Sequence, residues 1–443
     1  MRAHPPCPLP HDQLLLRWCL EFADPQLPAC APAGTAPRSG TPAGYYFRPG
    51  SGDGAKKWYI HMEGGGWCQL ETPYQNWPND NCLDRANNSN PTAWLARLGT
   101  LTADPPSAVW DIAYSSADPA VNPLMHSWNS VYLRYCDGGT FTGDNTTTVN
   151  GTKLHFKGRA IREASVRSLA TGRRFGTDFS NGTDFVIGGS SAGGLAVYLH
   201  ADWWHRQLPA TATVAGLADS GFFLDWRSVI TPGSFTHSYD ADLRSGFALF
   251  NSSAGVNDAC IAAHRHSQSD CIFAANTLPH IATPIFVLQS AFDSWQLQWE
   301  HGLAKNPDCK YYAKYSNHLL LLAMHGSFLM DCVIADAKLN AYGDTLTTQL
   351  KAASAGKSTV GGFVEHCFHH CTTQTLWTHA PRLGPEQLVA ADAFTRWYEA
   401  IASGARGAGV GILWQSGALP CRHCGCPNAT LCPDFPSCTG TQV

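Results

Sequence analysis

The stretch DFVIGGSSAGG, residues 184–194, is the clearest indication of the fold. Residues 184–187 predict a short buried strand, and a long helical pattern runs from residue 193 to about residue 207. Between them, residues 189–193 match the pattern G-x-S-x-G. A strand before this pattern and a helix after it are the setting in which a serine stands on a sharp turn as a nucleophile. We therefore predict that Ser191 is a catalytic nucleophile.

The residues beside Ser191 suit such a turn. A sharp strand-to-helix turn leaves no room for Cβ atoms near the serine backbone, so Gly189 and Gly193 fit there. The start of the helix carries unpaired N–H groups that can hold a developing oxyanion, and Ala192 N–H is the natural first donor. Two alternatives stay open: Ser190 is a neighbouring hydroxyl, and the pattern could be a tightly packed turn without chemistry.

Strands and helices alternate on both sides of this turn. Further strands are predicted over 58–62, 130–135, 214–218 and 284–288, and further helices over 158–169 and from near residue 385. This alternation predicts an α/β fold with a mainly parallel sheet flanked by helices. Residues 20–55, rich in Pro, Gly and Ala, are predicted to be irregular. We divide the chain into an irregular N-terminal segment (1–29), a single catalytic domain (30–420) and a Cys-rich tail (421–443).

The composition excludes several classes of protein. The chain has 443 residues, of which 44% are hydrophobic, and this is enough to bury a large core. A formal net charge of −4 and only 14% charged residues provide no basic field for nucleic acid. No run of about 18 apolar residues exists, so we predict no membrane span.

Cysteines and glycosylation motifs favour an oxidising compartment. Seventeen cysteines and six N-x-S/T sequons predict a secreted, disulfide-stabilised glycoprotein. The sequons begin at Asn87, Asn145, Asn150, Asn181, Asn251 and Asn428. Cys68 with Cys82, and Cys260 with Cys271, are candidate bridges. Because 17 is odd, at least one thiol has no disulfide partner in the chain, and Cys7 and Cys19 are candidates. The first residues do not predict a signal peptide, because prolines interrupt any apolar run.

A glycine-rich loop follows the first of these strands. Residues 63–67 read EGGGW, with flexible glycines and unblocked backbone N–H groups upstream of the serine. A second oxyanion donor comes from a loop in this position. The alternative is a plain turn after an edge strand.

Several longer stretches resemble the pectin acetylesterase family. They are HMEGGGWC (61–68), NP (122–123), WNSVYLRYCDG (128–138), FTGD (141–144), LHFKG (154–158) and LADSGFFL (217–224), together with the turn at Ser191. The matches run from about residue 30 to about residue 400. The family also includes animal carboxylesterases that remove a fatty acyl group from Wnt proteins. This sequence is more similar to the plant-type branch, through EGGGWC and RYCDG.

The resemblance implies an α/β-hydrolase-like fold, no cofactor, and a Ser-Asp-His triad in that chain order. It also implies that the N–H groups of Gly66, Trp67 and Ala192 form the oxyanion hole. The implied substrate is an acetyl ester on a pectic polysaccharide of the cell wall. We expect a monomer with no nucleic-acid partner.

The acid of the triad is expected after a late strand. Residues 284–293 read as a strand running into Asp293, and the family motif has its triad aspartate there. Such a carboxylate holds the imidazole tautomer and stabilises the imidazolium. Asp219, which also follows a strand, is the rival, and a capping or turn role for Asp293 is the other alternative.

The base is expected in the segment EHCFHHC, residues 365–371. The family pattern of Cys, two residues and then His-Cys assigns the base to His370. This sequence departs from that pattern by adding His366 and His369, and His369 is the second candidate. The same segment could contribute to a structural zinc site with Cys421, His423, Cys424 and Cys426. Disulfides are the simpler use of these thiols, so we predict no metal.

These assignments predict a serine esterase that works through an acyl-enzyme. One rival is a lipid or protein deacylase of the same fold, which would need a deep apolar acyl pocket. The other rival is a non-catalytic glycan-binding protein. In that case Trp67, Trp128 and Trp295 could stack on sugars, although buried core tryptophans are commoner.

Overall fold

The computed structural model describes residues 19–22, 28–30, 41–68, 70, 82–83, 112–170, 179–226, 239–299, 309–310, 331–332, 336–367, 369–405 and 411–415. The strands are β1 (Cys19–Phe22), β2 (Pro28–Cys30), β3 (Thr41–Pro42), β4 (Gly44–Arg48), β5 (Lys57–Met62), β6 (Asn129–Leu133), β7 (Asn145–Val149), β8 (Thr152–Phe156), β9 (Asp184–Ser190), β10 (Thr213–Asp219), β11 (Ile285–Ser290), β12 (Cys309–Lys310), β13 (Asp331–Cys332), β14 (Val360–Glu365) and β15 (Ile412–Trp414). The helices are α1 (Gly158–Ala170), α2 (Ala192–Gln207), α3 (Tyr239–Phe250), α4 (Asp258–Ala263), α5 (Ala274–Thr277), α6 (Ser294–Trp299), α7 (Asp336–Ser354), α8 (Gln374–Thr378) and α9 (Ala390–Ala402).

A nine-stranded sheet forms the centre of this part of the chain, in the order β1-β4-β6-β5-β9-β10-β11-β14-β15. The strands from β6 to β15 in this order run parallel, and β4 and β1 add an antiparallel edge. The carboxyl ends of the parallel strands share one edge: Ser190 lies opposite Asp219, and Ser290 lies opposite Glu365. Loops that leave this edge can therefore bring distant residues together.

Helices cover both faces of the sheet. Alternate residues of β5 point to opposite faces, so Ile60 packs in the core layer that contains α2, whereas Tyr59 packs in the layer that contains α9. In the second layer, Trp397 of α9 lies against Phe286 of β11, with ring centroids 5.3 Å apart. Strands buried on both faces explain why their sequences are short apolar runs without polar alternation.

The predicted α/β fold with a mainly parallel sheet is confirmed. The predicted strands and the helix after Ser191 lie within a few residues of their expected bounds. Several elements were not predicted from the sequence, among them α3, α7 and β14.

Two local predictions were wrong. Residues 20–55 were expected to be irregular, but β4 lies there with every residue buried, because its short YYF run pairs with β6. The late helix begins at Ala390 rather than near residue 385, because Leu383 and Leu388 first form an antiparallel bridge.

The disulfides Cys68–Cys82 and Cys260–Cys271 form as predicted. Among the described residues Cys371 is a free cysteine, which the sequence did not indicate. Cys7, the side chain of Cys19 and the tail 421–443 lie outside the described residues. None of the described helices is both long and apolar enough to cross a membrane.

Candidate active site

The turn after β9 holds Ser191 in an unusual backbone conformation. Ser191 is the N-cap residue of α2, with φ 58° and ψ −125°. Its N–H donates to the carbonyl of Asp219 at 2.9 Å, and its own carbonyl accepts from Leu195 N–H at 2.9 Å. A Cβ on Gly193 would lie 2.0 Å from the carbonyl oxygen of Met62. The glycine therefore allows α2 to start directly against β5, with Ser191 half-buried at the start of the helix.

The structure brings together the three residues that were predicted as a triad. His370 lies in the loop after β14, and its Nε2 is 2.8 Å from Ser191 Oγ. Its Nδ1 lies 3.0 Å and 2.9 Å from the two carboxylate oxygens of Asp293. This series of contacts joins residues that are 179 and 77 positions apart in the chain.

Asp293 is fully buried in the turn between β11 and α6. Its Oδ1 accepts the N–H groups of Trp295 and Gln296, each at 3.0 Å. Its Oδ2 accepts from Gln289 Nε2 at 3.2 Å. The side chain can therefore orient the imidazole and stabilise a positive charge on it.

Aromatic rings enclose His370. Trp295 stacks on it with centroids 5.8 Å apart, and Phe223 lies 6.2 Å away. Burial lowers the pKa of His370, but the charge of Asp293, with Cys371 beside the ring, raises it more, so the pKa lies well above its usual value. The site thus favours the imidazolium that forms when the ring takes a proton.

The rival serine and the rival aspartate both contact a buried tyrosine. Ser190 Oγ is 2.7 Å from the Tyr114 hydroxyl, which donates to Asp219 Oδ2 at 2.6 Å. Asp219 also accepts from Thr372 N–H at 2.9 Å and from the Ser220 hydroxyl at 3.0 Å. Asp219 therefore joins the serine turn to the histidine loop, while Asp293 makes the contact with His370.

The two additional histidines have other partners. His369 is buried, with its Nε2 2.5 Å from Glu365 Oε1 and its Nδ1 3.1 Å from the Cys371 carbonyl. His366 packs edge-on against Phe292 with centroids 5.3 Å apart.

The loop with the predicted oxyanion donors lies against the serine turn. A Cβ on Gly64 would be 2.2 Å from the Ser190 carbonyl oxygen and 3.0 Å from Ser191 Cβ. The Tyr135 hydroxyl donates to the Gly66 carbonyl at 2.7 Å. Trp67 is buried, and its indole N–H donates to Thr140 Oγ1. Ala192 N–H lies in the first turn of α2, where N–H groups lack partners within the helix.

A buried ion pair supports the base of this loop. Arg134 Nη1 lies 2.5 Å from Glu63 Oε1, and Glu63 Oε2 accepts the Tyr135 N–H at 2.7 Å. Sequence reasoning did not find this pair, nor Tyr114. Arg134 and Glu63 both lie in stretches that resemble the pectin acetylesterase family, and this was the one sign in the sequence that they matter. Their pairing could not be seen there, because they are 71 residues apart.

Other predicted features are also resolved. Trp67 and Trp128 are buried, whereas Trp295 is half-buried beside His370. Cys367 is disulfide-bonded. Among the described residues, Cys260, His264 and Cys271 are close enough together to bind a metal, but the two cysteines form a disulfide with each other. The segment around Cys421 lies outside the described residues.

This chain is similar to several known proteins. A family model described as Pectinacetylesterase matches residues 31–406. The chain is 30% identical over 371 residues to Pectin acetylesterase 5 of Arabidopsis thaliana. The matched region covers 81% of this chain and 76% of the relative. It is also 29% identical over 267 residues to Palmitoleoyl-protein carboxylesterase NOTUM of Homo sapiens. This match covers 58% of this chain and 49% of the relative.

A solved structure is also similar to this chain. The Wnt deacylase NOTUM from Drosophila superposes with a TM-score of 0.65, over 93% of this chain and 99% of that one. At 20% sequence identity, this similarity supports the fold.

Proposed function

Because the chain belongs to the pectinacetylesterase family and is a carboxylic ester hydrolase, we propose that it removes acetyl groups from pectic polysaccharide as a serine esterase. Ser191 is the nucleophile, His370 the general base and Asp293 the residue that orients the base. The observation that carries this proposal is the continuous series of short contacts from Ser191 Oγ through the His370 ring to Asp293.

The first half of the reaction forms an acyl-enzyme. His370 Nε2 takes the proton of Ser191 Oγ as this oxygen attacks the ester carbonyl carbon. The carbonyl oxygen becomes an oxyanion, which the N–H groups of Gly66, Trp67 and Ala192 stabilise. The carbon–oxygen bond to the sugar then breaks, and His370 gives its proton to the departing sugar hydroxyl.

The second half of the reaction releases the acid. Water gives a proton to His370 Nε2 and attacks the acetyl-enzyme, and a second oxyanion forms in the same position. When this intermediate collapses, the proton returns to Ser191 Oγ and acetic acid leaves, which then loses its proton to water. The reaction needs no cofactor, since each proton is moved by the same ring.

The names of the relatives support the proposed substrate. Four curated relatives carry the name pectin acetylesterase, and they are 29–30% identical to this chain. We therefore propose an acetylated cell-wall polysaccharide as the substrate, and we also propose that the enzyme is secreted and monomeric. Disulfides and the exposed sequons at Asn150, Asn181 and Asn251 support an extracellular glycoprotein.

The decisive test is acetate release from acetylated pectin by the wild type and by Ser191→Ala. The wild type should release acetate, and Ser191→Ala should release none above the blank. Ser190→Ala is the matched control, because it removes a hydroxyl one position away and should retain most activity. Equal acetate release by wild type and Ser191→Ala would refute the mechanism.

A second candidate function is removal of a fatty acyl group from a protein or lipid. The similarity to palmitoleoyl-protein carboxylesterases favours it. The two functions differ in the length of the acyl chain that the site accepts. Hydrolysis of p-nitrophenyl acetate but not of the octanoate supports acetylesterase activity, and preference for the octanoate supports the second candidate.

A further test labels the proposed nucleophile directly. A fluorophosphonate probe reacts with a serine that is activated by a base. Labelling of the wild type but not of Ser191→Ala is expected. An unlabelled wild-type protein would contradict the assignment of Ser191 as an activated nucleophile.

A further inference from the structure

The ring of His369 lies between two hydrogen-bond acceptors. Its Nε2 is 2.5 Å from a carboxylate oxygen of Glu365, and its Nδ1 is 3.1 Å from the carbonyl of Cys371. A neutral imidazole has a hydrogen on one nitrogen, so beside an ionised Glu365 one of these contacts would set two lone pairs against each other. Both contacts are satisfied when the ring carries two hydrogens. With Glu365 ionised, the geometry therefore suits an imidazolium paired with a buried carboxylate.

The same histidine also fixes the backbone around the predicted base. The His369 carbonyl accepts the N–H of Ser294, the residue after Asp293, at 3.0 Å. On the other side of His370, the N–H of Cys371 donates to Ser220 Oγ at 2.9 Å. His370 therefore lies between two residues whose positions are set by hydrogen bonds.

Cys371 adds a reason for such a restraint. It is not a glycine, yet its φ is 67°, in the left-handed region that L-residues rarely adopt. Such a conformation persists only when its surroundings hold it. The His369 ring holds the carbonyl of this residue, and Ser220 holds its N–H.

We propose that Glu365 and His369 form a buried ion pair, here called the loop clamp, that positions His370 to accept the proton of Ser191. This inference rests on the proposed function, since it assigns a positioning role within that site. His369 is not itself the base in this arrangement, because both of its ring nitrogens already donate to other groups. Glu365 and His369 do not contact the reacting atoms.

The loop clamp has an alkaline limit. Burial lowers the pKa of His369, but the charge and hydrogen bond of Glu365 raise it more, with further contributions from Asp219 and Asp293, to about 9. Glu365 and Asp219 are the last residues of β14 and β10, and Asp293 lies in the turn after β11. The ion pair is therefore present below this pH and is lost as pH rises through about 9.

The test compares the wild type with His369→Ala, Glu365→Gln and the double variant Glu365→Gln/His369→Ala. The double variant leaves no unpaired buried charge. If His369→Ala does not fold, the proposal is therefore tested on the double variant. His266→Ala, which removes an exposed histidine, is the matched control. For each protein we would measure kcat and KM on p-nitrophenyl acetate from pH 6 to 10, with the Ser191→Ala rate subtracted, and the rate of fluorophosphonate labelling.

The expected result is a roughly 10- to 100-fold fall in kcat and labelling rate, because a displaced base loses that much rate, with KM almost unchanged. The double variant should be no slower than the slower single variant, since the two side chains act as one unit. The fall of activity above about pH 9 should be present in the wild type and absent from the double variant.

Two results would overturn the inference. The first is that the variants have the same kcat and labelling rate as His266→Ala and the same fall of activity at alkaline pH as the wild type. This result would show that the loop clamp does not position the base. A wild type that the probe does not label would reject the proposed function, and the clamp with it, because there would be no base to position.

Discussion

Replacing Asp293 with asparagine tests which ring nitrogen of His370 must carry the hydrogen. Oδ1 of Asp293 accepts two backbone N–H groups, from Trp295 and Gln296, so the amide oxygen of asparagine should stay there. The new NH₂ group then replaces Oδ2, which faces His370 Nδ1 at 2.9 Å and Gln289 Nε2 at 3.2 Å. Asp293→Asn thus turns an acceptor of hydrogen bonds into a donor at the imidazole.

The magnitude follows from the tautomer. Facing an NH₂ donor, His370 Nδ1 becomes an acceptor, and the ring hydrogen moves to Nε2, which is 2.8 Å from Ser191 Oγ. Nε2 can then no longer take the serine proton. In a serine protease triad the same substitution lowers kcat about 10⁴-fold. We expect a fall in kcat of roughly 10³- to 10⁴-fold, or about 4–5.5 kcal/mol in the barrier, with little change in KM.

The assay is the initial rate of p-nitrophenyl acetate hydrolysis over a range of substrate concentrations. Asp258→Asn is the control for a harmless substitution, since the Asp258 side chain is 70% exposed. Asp219→Asn is the informative comparison. Asp219 hydrogen-bonds to Tyr114 and Thr372 rather than to His370, so this substitution should lower kcat less than Asp293→Asn does. A loss smaller than about tenfold in Asp293→Asn, or a larger loss in Asp219→Asn, would refute the assignment of the acid.

Three further predictions concern the site and its supports. Gly193→Ala should destabilise the fold by about 2 kcal/mol or more and abolish probe labelling, because the new Cβ would lie 2.0 Å from the Met62 carbonyl oxygen; thermal unfolding and labelling check this. Glu63→Gln should lower the free energy of unfolding by about 3–5 kcal/mol, because it removes the negative charge that pairs with the buried Arg134 guanidinium; unfolding in denaturant measures this change. The value of kcat/KM should rise with pH through a midpoint above 6.5, because His370 must be neutral to act as a base and its pKa is raised well above that value; a midpoint below 6.5 in a pH–rate profile would contradict this.

Local sequence determined the serine turn. The strand, the two flanking glycines and the helix are adjacent in the chain, so the steric demand of a sharp turn is visible in the residue types alone. The alternation of apolar runs and helical patterns likewise predicted the parallel sheet, because strands buried on both faces must be apolar. β14 escaped prediction, although it leads into the histidine loop, since its sequence VGGFVE is short and rich in glycine.

Which of several similar side chains meet depends on the tertiary structure. From the residues alone, Ser190 and Ser191, Asp219 and Asp293, and His369 and His370 have the same chemistry within each pair. Parallel pairing of β9, β10, β11 and β14 brings their carboxyl ends to one edge, and the loops beyond them then select one member of each pair. A hydrogen bond requires atoms within about 3 Å in a set direction, and this geometry depends on strand register over 179 residues of separation rather than on residue type.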